Sequence, residues 1–148
     1  PLLAAAALLG GCNGASPPRF TVVDARLIEQ SDAGYVVHFT IEGENRNPDP
    51  LPLHDISYSV VMNGHQVFAA QRFAGRTLPR YGTARIDLPV TFSTLNPDVP
   101  APVGTHEYTL RGQITWKPPA AFAEVLFDQS LHRPDARFNE KGVLEFGG

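Results

Sequence analysis

The segment from His54 to Phe73, HDISYSVVMNGHQVFAAQRF, constrains the fold more than any other part of the chain. Asn63-Gly64 separates two runs of alternating apolar residues, and this dipeptide is the preferred pair for a two-residue type I′ hairpin turn. A loop of those two residues sets Met62 opposite His65, Val60 opposite Val67 and Tyr58 opposite Ala69. Ile56, Tyr58, Val60, Met62, Val67 and Ala69 then share one face, as a hairpin laid on a core requires.

The remaining apolar residues fall into similar blocks. FTVVDARLIE, from Phe20 to Glu29, is β-branched at its start and supplies a first strand before the turn-like QSDAG. In GYVVHFTIEG, Tyr35, Val37, Phe39 and Ile41 alternate with Val36, His38 and Thr40, the period of a half-buried strand. TARIDLPVTF sets Ile86, Leu88, Val90 and Phe92 against Arg85, Asp87, Pro89 and Thr91, and its proline restricts it to a sheet edge or a bulge. THEYTLRGQITWKP reads as a central strand with the only Trp, Trp116, buried at its end. AAFAEVLFDQSLH fits a short helix near 121–131 or an irregular strand, and ARFNEKGVLEF closes the series. The 14 prolines and 13 glycines fall between these blocks, so they read as turns of a folded domain. About seven strands and no long helix predict an all-β antiparallel sandwich.

Before the first strand the chain reads PLLAAAALLGGCNGAS. The apolar run has the composition of a secretory signal core and is shorter than the roughly 20 residues of a membrane-spanning helix. Leu9-Gly10-Gly11-Cys12 resembles the bacterial lipobox, in which small residues admit the signal peptidase and the cysteine sulfur carries a diacylglycerol. That resemblance implies cleavage before Cys12 and a lipidated, membrane-held N-terminus followed by a polar tether over 12–19, with residues 1–11 as a partial signal peptide. Asn13 after the cysteine points to the periplasmic face of the outer membrane. Cys12 is the only thiol, so no intrachain disulfide can form.

Composition bounds the function classes. Lys and Arg total 12 against 15 Asp and Glu, a formal net charge of −3, and the cations are scattered along the chain. Neither a nucleic-acid footprint nor a basic membrane-binding patch is visible. His38, His54, His65, His106 and His132 show no metal-ligand spacing, so no metal and no cofactor are expected. His54, Asp55 and Ser57 hold the letters of a hydrolase triad, but neighbours on a regular strand point to opposite faces and are not expected to converge. With no G-x-S-x-G elbow and no phosphate-cradling glycine loop, an enzyme is not expected. Trp116, Tyr58 and Tyr108 lie on the apolar phases of their strands and read as core.

The proline-rich ENRNPDPLPL, read as an irregular but ordered loop, supplies the candidate interaction residues Asn45, Arg46, Asn47, Pro48, Asp49, Pro50, Leu51, Pro52 and Leu53. Such a loop costs little entropy to order and can present backbone groups to a partner. Physically it serves equally as a sandwich crossover shaped by proline, and the residues alone favour the crossover.

Phe39-x-Ile41-x-Gly43-x-Asn45-x-Asn47-Pro48-x-Pro50-Leu51-Pro52-Leu53, then Ile56-Ser57-Tyr58 and Met62-Asn63-Gly64, resembles the water stress and hypersensitive response (WHy) domain of group 2 late-embryogenesis-abundant, desiccation-related proteins. Arg46 stands where that pattern commonly has Pro, while Gly112 and Gly142 fall where the later strands of the family place glycines. The resemblance spans about residues 20–146, within a domain drawn as 20–148. It implies an immunoglobulin-like or fibronectin type III-like sandwich with no catalytic residues and a role in tolerance of drying, freezing or related stress. The partners it implies are the membrane, through acyl chains on Cys12, and stressed envelope proteins or lipid, with the domain a monomer. The alternative is a module that docks one partner in an envelope assembly or transport complex.

Overall fold

The computed structural model describes residues 14–95 and 101–147, which form two antiparallel sheets packed face to face. In chain order the elements are β1 (Arg19–Ser31), β2 (Gly34–Asn45), β3 (Leu51–Met62), β4 (His65–Phe73), β5 (Thr77–Leu78), β6 (Gly82–Ser93), β7 (Gly104–Trp116), α1 (Ala121–Asp128) and β8 (Asp135–Phe146). The smaller sheet runs β1-β2-β6; the larger runs β4-β3-β7-β8, with β5 added against the start of β3. This is the expected all-β sandwich, and the ambiguous segment near 121–131 is helical from Ala121 to Asp128 and a turn beyond.

The alternation visible in the sequence explains the layering. Along β2, Tyr35, Val37, Phe39 and Ile41 are buried while the residues between them are partly exposed. β3, β6 and β7 send Ile56, Val60, Leu88, Val90, Leu110 and Ile114 into the same layer, all fully buried. Each such side chain contributes roughly 1.5–3 kcal/mol by leaving water. Where rings are too large for the space between strands, glycine makes room. Phe138 lies over its cross-strand partner Gly112, and Tyr108 over its partner Gly142, so a Cβ at either glycine would collide with the ring.

Pro89 sits on β6, an edge strand, as its missing N–H requires. Its carbonyl points away from β2 and accepts a 2.7 Å hydrogen bond from the Tyr58 hydroxyl of the facing sheet. The absent N–H lies on that same open side, because a strand residue directs its N–H and C=O to the same neighbour.

Two connections define the ends of the sandwich. At the hairpin end, Asn63 (φ 51°) and Gly64 (φ 78°) form the expected left-handed turn, with Met62 opposite His65. The expected register fails beyond that pair. A bulge between Val60 and Val61 accommodates Val67 as an extra residue on β4, so Val60 faces Phe68 and Tyr58 faces Ala70. Ala69, expected inward, is exposed, whereas Phe68 and Ala70 pack against the core.

At the crossover end lie the 46–50 connection, residues 74–81, the segment from 117 to 134 with α1, and residues 14–18 leading into β1. The proline-rich stretch is more regular than expected. β2 continues through Asn45 and β3 begins at Leu51, leaving only 46–50 outside strands. Pro52 is tolerated because it lies where the β3–β7 ladder ends and uses only its carbonyl, which accepts from Lys117 N at 2.9 Å.

Candidate functional site

The nine residues from Asn45 to Leu53 divide by burial. Asn45, Asn47, Leu51 and Leu53 point inward, while Arg46, Pro48, Asp49, Pro50 and Pro52 are exposed. Inward asparagines are unusual, since a buried amide without partners costs about 1–3 kcal/mol. Both side chains are satisfied. Asn45 Nδ2 donates to the carbonyls of Asp49 (2.9 Å) and Pro79 (3.1 Å), with that of Leu78 at 3.5 Å. Asn45 Oδ1 accepts from the backbone N–H of Asn47 at 2.9 Å and from its side-chain Nδ2 at 2.8 Å.

Asn47 carries the network to the N-terminal segment. Its Oδ1 accepts from Ser16 N at 2.7 Å and its Nδ2 donates to Ser16 O at 2.8 Å, a two-bond clamp on the chain four residues beyond Cys12. The Asn47 carbonyl accepts from Tyr81 N at 3.1 Å. Residues 14–16, Asn47 to Asp49 and Pro119 line a recess around this clamp. Cys12 itself lies outside the described residues. On the solvent side, Arg46 bonds Glu44 through both Nε (3.0 Å) and Nη2 (3.2 Å), and this contact holds the Glu44 carboxyl below its ordinary range.

His54 and Asp55, expected to diverge, converge instead. Between Leu53 and Ile56 the pairing with β7 slips by one residue, so both stand opposite Thr115, and His54 Nδ1 lies 2.8 Å from Asp55 Oδ2. The His54 ring packs edge-on against Phe73 (5.4 Å) and Phe127 (5.3 Å), and the Arg133 guanidinium lies over the latter ring at 4.8 Å. No hydrogen bond joins Ser57 to this pair among the described residues. The bulge therefore anchors α1 to the sheet through the buried Phe127.

Elsewhere the outer face of the larger sheet forms a shallow polar depression around Ser57, Gln71, Arg111, Gln113 and Arg137. Tyr58 and Tyr108 are core residues, as expected, and burial pushes both phenols above their ordinary pKa. Trp116 is buried too. Among the described residues there is no cluster of three or more metal-ligating side chains, and no helix is long and apolar enough to cross a membrane.

Ser16, Tyr81 and Pro119 were not singled out by the sequence. One signal bears on Asn45 and Asn47: they continue the inward phase of β2, two and four residues past Gly43.

No family model matches the chain, and no curated protein sequence matches it. Solved structures do. A solution structure described as a late embryogenesis abundant (LEA) protein superposes with a TM-score of 0.65 at 19% identity, covering 88% of this chain and 71% of that one. A second, from Arabidopsis thaliana, gives 0.65 at 13% identity over 90% of this chain and 85% of the other. A crystal structure of a protein from Archaeoglobus fulgidus gives 0.55 at 10% identity over 85% and 95%. At these identities the likeness is one of fold, and that fold is shared with a late-embryogenesis-abundant protein along nearly the whole sandwich.

Proposed function

We propose that this chain is a lipid-anchored, non-enzymatic domain of the bacterial envelope that protects membranes or envelope proteins during drying, freezing or related water stress. The observation that carries the reading is the late-embryogenesis-abundant fold over 88% of the chain, joined to the ordered Asn45, Asn47-Pro48 and Asn63-Gly64 pattern. Leu9-Gly10-Gly11-Cys12 supports the anchor, and the anchor supplies the concentration that weak protective contacts need. Of the candidate loop, Pro48, Asp49, Pro50 and Pro52 are exposed and so placed to make such contacts, as is Arg46, whose guanidinium is paired with Glu44.

The chain from Asn13 onward, added to a freeze-labile enzyme through cycles of freezing and drying, should retain more enzyme activity than an equal mass of an inert globular protein. Equal retention overturns the protective reading and leaves a module for one dedicated partner. Cys12→Ser tests the anchor separately: cells fed labelled palmitate should label the parent and not the variant, and an unlabelled parent, or equal labelling of both, overturns the lipid anchor on Cys12.

A further inference from the structure

We infer that the crossover end of the sandwich is a membrane-facing surface, which rests on the headgroup region of an anionic phospholipid bilayer. This deepens the proposed function and rests on the anchor at Cys12. The Asn47 clamp sets the geometry. Ser16 is held by two hydrogen bonds at the crossover end, and Cys12 is four residues before it. Four residues reach at most about 14 Å, whereas a strand of β3's length places the hairpin end roughly 40 Å away. With the clamp broken, the eight residues from Cys12 to the buried Phe20 still reach only about 28 Å. An acyl chain on Cys12 therefore holds the crossover end near the bilayer and excludes an inverted stance on the hairpin end, and the surface chemistry of the two ends bears on the tilt that is left.

The side chains at this end are those an interface favours. Tyr81 (70% exposed) and Phe122 (74%) stand out, with Phe73, Val125 and Leu131 also exposed nearby in the fold, whereas Leu95, Val103 and Val143, exposed toward the hairpin end, are all aliphatic. Aromatic rings with one wet side settle at the headgroup level. Pro119, three residues before Phe122, borders the same recess as Ser16 and Asn47, so the start of α1 lies beside the tether.

Charge differs between the ends less sharply, because the crossover end carries the exposed carboxylates Asp49, Glu124 and Asp128 as well as cations, and Lys117 is paired with Asp128. Arg76 and Arg80 are exposed at the crossover end and have no carboxylate within 4.0 Å among the described residues. Glu29, Asp32, Glu107 and Glu145 lie toward the hairpin end, whose described connecting residues, 32–33, 63–64, 94–95 and 101–103, contain no Lys or Arg. Arg76 and Arg80, the cations there without a carboxylate partner among the described residues, thus share one end with Tyr81 and Phe122.

The sole native thiol makes the test direct. The chain from Cys12 onward, whose strands all begin at or after Arg19, is coupled through that thiol to maleimide-headed lipid in vesicles of phosphatidylcholine and phosphatidylglycerol. Tyr81→Trp and Leu95→Trp report the two ends, with Phe122→Trp as a second probe of the crossover end and Trp116 a constant buried background. Lipids brominated near the headgroup should quench the Tyr81→Trp and Phe122→Trp probes several-fold more strongly than Leu95→Trp. Equal quenching at both ends, or stronger quenching of Leu95→Trp, overturns the proposal. The mass of the chain recovered from bacterial membranes reads the anchor independently. An acylated Cys12 with equal quenching overturns the orientation alone; an unmodified Cys12 overturns the anchor and the orientation together.

Discussion

The two connections built around asparagine, the 46–50 connection with Asn47-Pro48 at one end and Asn63-Gly64 at the other, solve the same problem by opposite means. Both must reverse the chain without leaving backbone groups unpaired. Asn63 is exposed; its amide makes one solvent-exposed contact, to His106 Nδ1 at 3.1 Å, and its main contribution is tolerance of a left-handed φ, which Gly64 shares. Asn45 and Asn47 are 1% and 6% exposed, and they contribute side-chain amides that serve as fixed partners for carbonyls and N–H groups from three separated segments. One turn is specified by local backbone preference and the other by long-range hydrogen bonding. A local turn can form before the fold; the Asn45–Asn47 network exists only after the strands have met.

Substitutions at the two ends should separate these mechanisms. Asn45→Ala should cost the most, about 3–4 kcal/mol, because it strands the buried amide groups of Asn47, frees the part-buried carbonyls of 49 and 79 and leaves a void. The measurement is the urea midpoint at constant m-value, and a loss smaller than that of any Asn63-Gly64 variant would break the comparison. Asn47→Ala should cost about 2 kcal/mol and should also release residues 14–18, read as faster amide exchange at Ser16. A variant with unchanged exchange there would show that Ser16 is held by something other than the clamp. Gly64→Ala should cost about 1–2 kcal/mol through its φ of 78°, with nothing near its Cβ to add a clash. Asn63→Gly should lie within about 0.5 kcal/mol of the parent, since glycine takes the same left-handed φ freely. A large loss at Asn63→Gly would give its side chain a structural share and blur the contrast.

The legibility of the sequence divides along the same line. Features set by a residue's own backbone are readable: the Asn63-Gly64 turn, the alternation of β2, the edge position of Pro89 and the helical option near α1. Features set by the partner strand are not. Val67 on β4 and the His54-Asp55 pair on β3 are single-residue slips against a neighbour, and each inverts the facing of the residues beyond it or brings adjacent side chains together. Polar residues beside prolines suggest solvent, yet the phase of β2 already carried Asn45 and Asn47 inward. The clamp on Ser16 lies 31 residues away in sequence, and no local pattern announces it.

The blunted edge of β6 has a consequence for a domain at high concentration. As water is withdrawn, neighbouring molecules crowd together, and any sheet edge with free N–H and C=O groups becomes a template on which identical chains can add strands into an aggregate. At Pro89 there is no donor to offer, and the acceptor is already occupied by the Tyr58 hydroxyl. The bulge of Val67 interrupts the regular pairing geometry of β4, one of the two edge strands of the other sheet. Two of the four sheet borders are thereby made poor seeds for intermolecular β-pairing, which narrows the routes by which dense packing of this domain could lead to an aggregate.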